Sequence, residues 1–265
     1  MRLSRLPALA VEKIRQHRFR QQISRLTRQY DFLGYKRFYH YHCRKTAGTS
    51  LAKIFMSIAG RDGGQLFVDL GRQSDRPMID DDLVFVGWNK PLIEQGDYFF
   101  GFSHFPFDEV NVPDGTFRFT SFRDPADRVF SHYRMLLDFA KQKVPHPCFA
   151  VEGQWLGDSF DEFLERIPKE HLLNQLFMFS NTFDVNQAVN RILELDFCFF
   201  VEQFRESLNA FNRKTSLSLF HRHDRRTDHQ HELTKQQRAK LRAVLDDEYR
   251  MLEKVQSGLQ QRSAA

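Results

Sequence analysis

Three short runs of aromatic and small apolar residues each end on a side chain suited to chemistry, and this most constrains the chain. Phe38-Tyr39-His40-Tyr41-His42-Cys43 reads as a strand and runs into the loop Arg44-Lys45-Thr46-Ala47-Gly48. Tyr98 to Ser103 reads as a buried strand ending at His104, and Phe117 to Phe122 as another ending at Arg123. Helical segments follow the first and third of these. Strands that alternate with helices predict a mainly parallel central sheet with helices on both faces, an α/β three-layer fold. Ligands of such sheets gather at the carboxyl ends of the strands. The pattern therefore predicts Lys45, His104 and Arg123 at one edge: a cation, a titratable base and a second cation.

The remaining segments fit this frame. Residues 49–58 have helical spacing, and Gly60 is a natural stop. Residues 61–82 read as loop with one short strand, and Leu83 to Gly87 as a strand. Asp124-Pro125 opens a helix to about Lys141, with Asp suited to the N-cap and Pro to the first helical position. Residues 142–157, with Pro145, Pro147, Gly153 and Gly157, read as a long loop. Helices are expected near 158–166, 170–179 and 185–194, a strand at 197–201, a helix over 203–212 and a last one over 234–256.

The 265 residues suffice for one core, and the 28 Phe, against 7 Tyr and 2 Trp, are expected mostly inside it. Residues 31–265 read as one domain. Residues 1–30 read as a basic helical extension carrying Arg2, Arg5, Lys13, Arg15, Arg18, Arg20, Arg25 and Arg28. That extension is a solvated helix or a peripheral contact with a membrane surface or polyanion. A formal charge of +5 and a pI near 9.1 suit an anionic ligand without choosing one. Three separated cysteines form neither a disulfide framework nor a zinc pattern. With no signal-like segment and no apolar run long enough to span a bilayer, a cytoplasmic protein is expected, with any contact at the inner membrane being peripheral.

Two motifs carry the chemistry. Lys45-Thr46-Ala47-Gly48-Thr49-Ser50 lies between a strand and a helix. Small residues let the backbone close on an anion, the helix start offers unpaired N–H groups, and Lys45 adds a point charge. It is not the ATPase loop, whose Lys comes late. Arg123-Asp124-Pro125-Ala126-Asp127-Arg128-Val129-Phe130-Ser131-His132-Tyr133 is the second. Ser131, two turns into the helix, can share a phosphate with Arg123.

Together and in this order, the motifs resemble those of the sulfotransferases that use 3′-phosphoadenosine-5′-phosphosulfate (PAPS). The nearest likeness is to the carbohydrate branch related to heparan sulfate 2-O-sulfotransferase and its bacterial relatives. The likeness runs from about residue 36 to 255. It implies a P-loop-like fold in which Lys45, Thr46, Ala47, Gly48, Thr49 and Ser50 surround the 5′-phosphosulfate, while Arg123 and Ser131 hold the 3′-phosphate. It also implies His104, in Gly101-Phe102-Ser103-His104-Phe105-Pro106-Phe107, as catalytic base, with Lys45 assisting the leaving group. The implied acceptor is a carbohydrate or glycolipid hydroxyl, with neither metal nor nucleic acid. Ala47 stands where many relatives have Gly, which is harmless unless that residue needs positive φ. Arg44 stands where many have Pro; it adds charge near the cofactor or faces solvent. In relatives Asn174-Gln175 faces the cleft, although a helix-surface amide is the plainer reading of the residues. Arg225 or Arg226 is a candidate to close over the nucleotide, and the 142–157 loop with Trp155 a candidate acceptor lid.

Two other readings remain open. A P-loop kinase or NTPase would need GxxxxGK[ST] and a strand ending in a magnesium-binding Asp. A polyanion-binding module would need neither the strand-edge histidine nor paired phosphate motifs.

Overall fold

The structure, a computed structural model, describes residues 8–143, 146–220 and 233–264. Six strands form one sheet: β1 (Arg37–Tyr41), β2 (Met78–Asp80), β3 (Leu83–Gly87), β4 (Phe100–Ser103), β5 (Thr116–Phe122) and β6 (Phe197–Phe200). Their spatial order is β2-β3-β4-β1-β5-β6, with only β2 antiparallel.

The helices are α1 (Ala8–Thr27), α2 (Gly48–Met56), α3 (Gly63–Arg72), α4 (Lys90–Gln95), α5 (Pro125–Gln142), α6 (Pro147–Glu152), α7 (Phe160–Arg166), α8 (Lys169–Leu172), α9 (Asn174–Phe177), α10 (Val185–Leu193), α11 (Phe204–Thr215), α12 (Lys235–Val244) and α13 (Asp246–Ala264). Local chemistry starts many of them. Asp62, Asn89, Asp124, Ser159, Asp184 and Thr234 each accept a hydrogen bond from a backbone N–H of the first turn, satisfying a donor that the helix itself cannot.

The sheet is covered on both faces, as a parallel sheet must be. Side chains alternate between two cores. Phe38, Phe85, Phe100, Phe102, Phe117 and Phe119 face α2, α3 and α11, where Phe55 stacks on Phe100 at 4.2 Å between ring centroids. Tyr39, Tyr41, Val84, Val86 and Phe122 face the other way, onto α5, α9, α10, α12 and α13. Many of the phenylalanines thus form an aromatic layer under α2. Ile23 and Thr27 of α1 are buried against the body of the protein, while Lys13, Arg15, Arg18, Arg20 and Arg25 stay exposed.

The structure differs from the sequence expectation in several segments. Residues 61–82 hold α3 as well as β2, because the Asp62 cap and the buried Leu66 and Leu70 outweigh a glycine-rich start. Lys90–Gln95 is helical behind the Asn89 cap. The expected loop 142–157 contains α6 and a 3₁₀ turn at Gly153–Trp155. The expected helix 170–179 breaks at Leu173 into α8 and α9, and the last helix breaks at Leu245 into α12 and α13. Among the described residues no helix is long and apolar enough to cross a membrane.

Candidate active site

Strands β4, β1 and β5 are neighbours and run parallel, so their carboxyl ends lie side by side. His104 follows β4, the loop 42–47 follows β1, and Arg123 follows β5. From β1 the chain leads toward β3, and from β5 toward β6 on the opposite side. The crevice between β1 and β5 is therefore a topological switch point, where an open α/β sheet takes its ligand.

The loop after β1 is shaped by two left-handed residues, Lys45 (φ 66°) and Ala47 (φ 63°, ψ 16°). Left-handed Ala47 next to right-handed Gly48 is the alternation that gathers successive N–H groups into an anion-binding concavity. Among the described residues, the backbone N–H groups of residues 45–50 have no protein acceptor, nor do the Thr49 and Ser50 hydroxyls. The condition attached to Ala47 is therefore met. This position does need positive φ, so alanine costs roughly 1 kcal/mol where glycine would be unstrained.

Gly48 is required for a different reason. The His42 ring lies directly beneath it, and a Cβ at residue 48 would fall 1.9 Å from His42 Cδ2. Thr46 turns its hydroxyl downward, donating to the Cys43 carbonyl at 2.8 Å and meeting Ser121 Oγ at 2.9 Å. Ser121 in turn meets His40 Nε2 at 3.1 Å. A buried chain of hydrogen bonds thus seats the loop on β1 and β5, and Thr46 offers a ligand its N–H rather than its hydroxyl.

The cations fall into two sorts. Arg128 is fully buried, donates to the carbonyls of His171 and Leu172 at the end of α8, and lies 3.7 Å from the buried carboxylate of Glu248. Arg44 pairs with Glu152 of α6. Lys45 and Arg123 have no such partner: among the described residues neither side chain has a carboxylate or other acceptor, and the Ser131 hydroxyl has none either. Burial first, and then the neighbouring Arg123 guanidinium, push the Lys45 ammonium down to about 8. Asp138 also acts on Lys45, and Ser131 lies two turns before Asp138 on the same face of α5. Lys45 and Arg123 are therefore near enough to act on one another, and Ser131 shares a helix face with a carboxylate that acts on Lys45.

His104 is oriented by the strand beside it. Its Nδ1 lies 2.7 Å from the His42 carbonyl oxygen, which can only accept, so Nδ1 carries the proton and Nε2 keeps its lone pair. Among the described residues Nε2 has no partner. Burial first, and then the Arg44 guanidinium, lower its pKa to about 4, below the unperturbed value near 6.5. His42, its ring tilted against that of His104 at 4.4 Å between centroids, is held well below its ordinary value by burial and then by His104. His132, on α5, is buried and donates from Nε2 to Glu152 at 2.7 Å.

The plain reading of Asn174-Gln175 as surface amides is overturned. Both are buried. Asn174 Oδ1 accepts from the Arg44 N–H and Gln175 Oε1 from the Arg123 N–H, each at 2.8 Å. Two adjacent amides thus brace the two loops of the crevice. Gln175 is itself held by Glu248, which accepts from its backbone N–H at 2.7 Å and lies 3.3 Å from its Nε2. The available signal was a polar pair interrupting the apolar run Leu172, Leu173, Leu176 and Phe177. Arg44 does not simply face solvent; it is tied to α6, and its charge acts on both His104 and Lys45. Trp155 is buried, with its ring 4.6 Å from that of His171. Arg225 and Arg226 lie outside the described residues. Among the described residues no cluster of His, Cys, Asp and Glu is arranged to hold a metal.

No protein-family model matches this chain, and no curated protein matches it significantly. Function is read from the residues and their geometry.

Proposed function

We propose that the chain is a PAPS-dependent sulfotransferase acting on a hydroxyl of a carbohydrate or glycolipid. The observation that carries this reading is the convergence, at three adjacent strand ends, of an N–H-lined loop with Lys45, a second unpartnered cation at Arg123, and an imidazole with an open Nε2. A donor with phosphates at both the 5′ and 3′ positions has two anionic ends, and the crevice has two matching sets of donors. The N–H groups of residues 45–50 with Lys45 suit the 5′ end. Arg123 and Ser131 suit the 3′ phosphate, which distinguishes this nucleotide from ATP.

In the transfer, a bond forms between the acceptor oxygen and sulfur while the bond from sulfur to the phosphate oxygen breaks. His104 Nε2 takes the hydroxyl proton as the new bond forms. A base with a pKa near 4 is unprotonated at neutral pH and ready to accept, though weak; bringing anions into the crevice strengthens it by favouring the imidazolium. Lys45 and the start of α2 stabilise the charge that grows on the leaving oxygen. The braced loops supply positioning.

Thermal unfolding with adenosine 3′,5′-bisphosphate, against AMP and ATP, tests the reading. A ligand confined to the folded state raises Tm by mass action. Selective stabilisation by the bisphosphate is expected. Equal stabilisation by ATP returns the kinase reading, and indifference to every nucleotide returns the polyanion reading. His104→Ala should keep that stabilisation yet transfer sulfuryl groups about 10²- to 10⁴-fold more slowly.

A further inference from the structure

Arg44 joins the loop after β1 to α6, and both it and its α6 partner Glu152 act on His104. Its backbone N–H is held by Asn174, and Lys45 follows it directly. Its guanidinium reaches α6, where it pairs with Glu152 and lies 3.5 Å from Cys148 Sγ. The second oxygen of Glu152 is taken by His132. Glu152 is 3% exposed. Burial alone would raise its pKa, but the His132 hydrogen bond and then the Arg44 guanidinium outweigh burial and hold it at about 2, so the pair is ionic throughout the working range. Glu152, Arg44 and His171 also act electrostatically on His104, which in turn acts on the neighbouring His42 and His40. The segment carrying Glu152 thus lies within electrostatic reach of His104, and further along it Trp155 packs against His171.

We propose that Arg44 and Glu152 form a latch through which the anion loop sets the position of α6, with Glu152 a positioning residue for the cleft beside His104. The latch rests on the reading of residues 45–50 as the donor loop. An anion seated there rigidifies the segment from which Arg44 projects, and α6 then opens less often. Donor occupancy and the shape of the acceptor side are coupled by one ion pair.

Cys148 reports on the latch without any acceptor. Its thiol is half-buried against Arg44 and Glu152, and burial first, then the hydrogen bond to Glu152, pushes it up to about 11. Cys43 and Cys198 are buried and serve as internal controls for unfolding. The full chain is alkylated with iodoacetamide at fixed pH, and each cysteine peptide is followed by mass spectrometry, with and without adenosine 3′,5′-bisphosphate. In the wild type Cys148 should label slowly, and about threefold or more slowly again with the bisphosphate. In Glu152→Gln it should label about tenfold faster, because access rises and loss of the carboxylate favours the thiolate; in the more exposed Arg44→Ala, where a cation that favours the thiolate is also lost, the gain comes from access alone and is smaller. The bisphosphate should then no longer alter the rate. Unchanged labelling in both variants, or ligand protection that survives in both, would overturn the latch. If the bisphosphate stabilises the wild type yet leaves Cys148 unaffected, the coupling is wrong while the donor site stands. If it gives no stabilisation, the donor reading is wrong, and the faster labelling of the variants alone decides whether the ion pair holds α6.

Discussion

The two ends of the sheet treat polar side chains differently. At the amino end several are paired within the fold, although Arg37 Nε is buried without a hydrogen-bond partner. Tyr35 donates to Asp196 at 2.7 Å, Arg37 to the Asp114 carbonyl at 2.9 Å, and Tyr30 to the Asp82 carbonyl at 2.7 Å. At the carboxyl end, Lys45, Arg123 and Ser131 have no acceptor among the described residues, and a run of backbone N–H groups beside them has none either. Donors left open at a strand edge work against their own charged forms: burial first, and then the neighbouring Arg123, lower the pKa of Lys45. They make sense when an anion completes them. The same contrast recurs within one motif: Arg128 is paired with two carbonyls and a buried carboxylate, whereas Arg123, five residues earlier, has no side-chain acceptor among the described residues. Residue type does not separate a structural cation from a binding one; its partners do.

The sharpest way to break this comparison is to remove each arginine in turn. Arg128→Ala leaves Glu248 buried without its charge partner and strips two carbonyls of their donor, so it should destabilise the fold by about 3–5 kcal/mol in urea unfolding. Arg123→Ala should stay within about 0.5 kcal/mol of the wild type while losing stabilisation by the bisphosphate. If Arg123→Ala unfolds the protein and Arg128→Ala does not, the division of roles is wrong.

The bracing amides come next. Gln175→Ala orphans the Arg123 N–H and removes a partner of Glu248, and should cost about 2–3 kcal/mol; Asn174→Ala, which frees the Arg44 N–H, should cost about 1–2. Both should also weaken bisphosphate binding in calorimetry. A stable Gln175→Ala protein with wild-type affinity would show that the loops hold themselves.

A smaller effect follows from Lys45. Its charged form binds an anion, so affinity present below pH 8 should fall as pH rises through 8, by about tenfold once the charge is lost. Bisphosphate titrations between pH 6.5 and 9.5 check this, and a flat profile would remove Lys45 from the site. Smallest of all, Ala47→Gly relieves a left-handed alanine at the cost of a looser unfolded chain. It should raise stability by no more than about 1 kcal/mol, seen as a Tm gain of a few degrees at most, without loss of binding.

The sequence by itself determined the frame. Phe38 to Cys43, Tyr98 to Ser103 and Phe117 to Phe122 read as strands because apolar side chains on both faces are a local pattern. The positions of Lys45, His104 and Arg123 at strand ends follow from the same pattern, and so does the helix begun by Asp124-Pro125. Short elements such as α3 and α6 were harder to see, since Gly63, Gly64 and Pro147 read as loop until the caps at Asp62 and His146 and the packing beneath them are known. What only the tertiary structure decided is who pairs with whom. Asn174 meets Arg44 across 130 residues of chain, Gln175 meets Glu248 across 73, and Gln175 meets Arg123 across 52. The tautomer of His104 depends on a carbonyl of another strand, and the need for Gly48 depends on a ring beneath it. Burial and hydrogen bonding act through space, so no local pattern could say which cations the fold would pair and which it would leave without an acceptor.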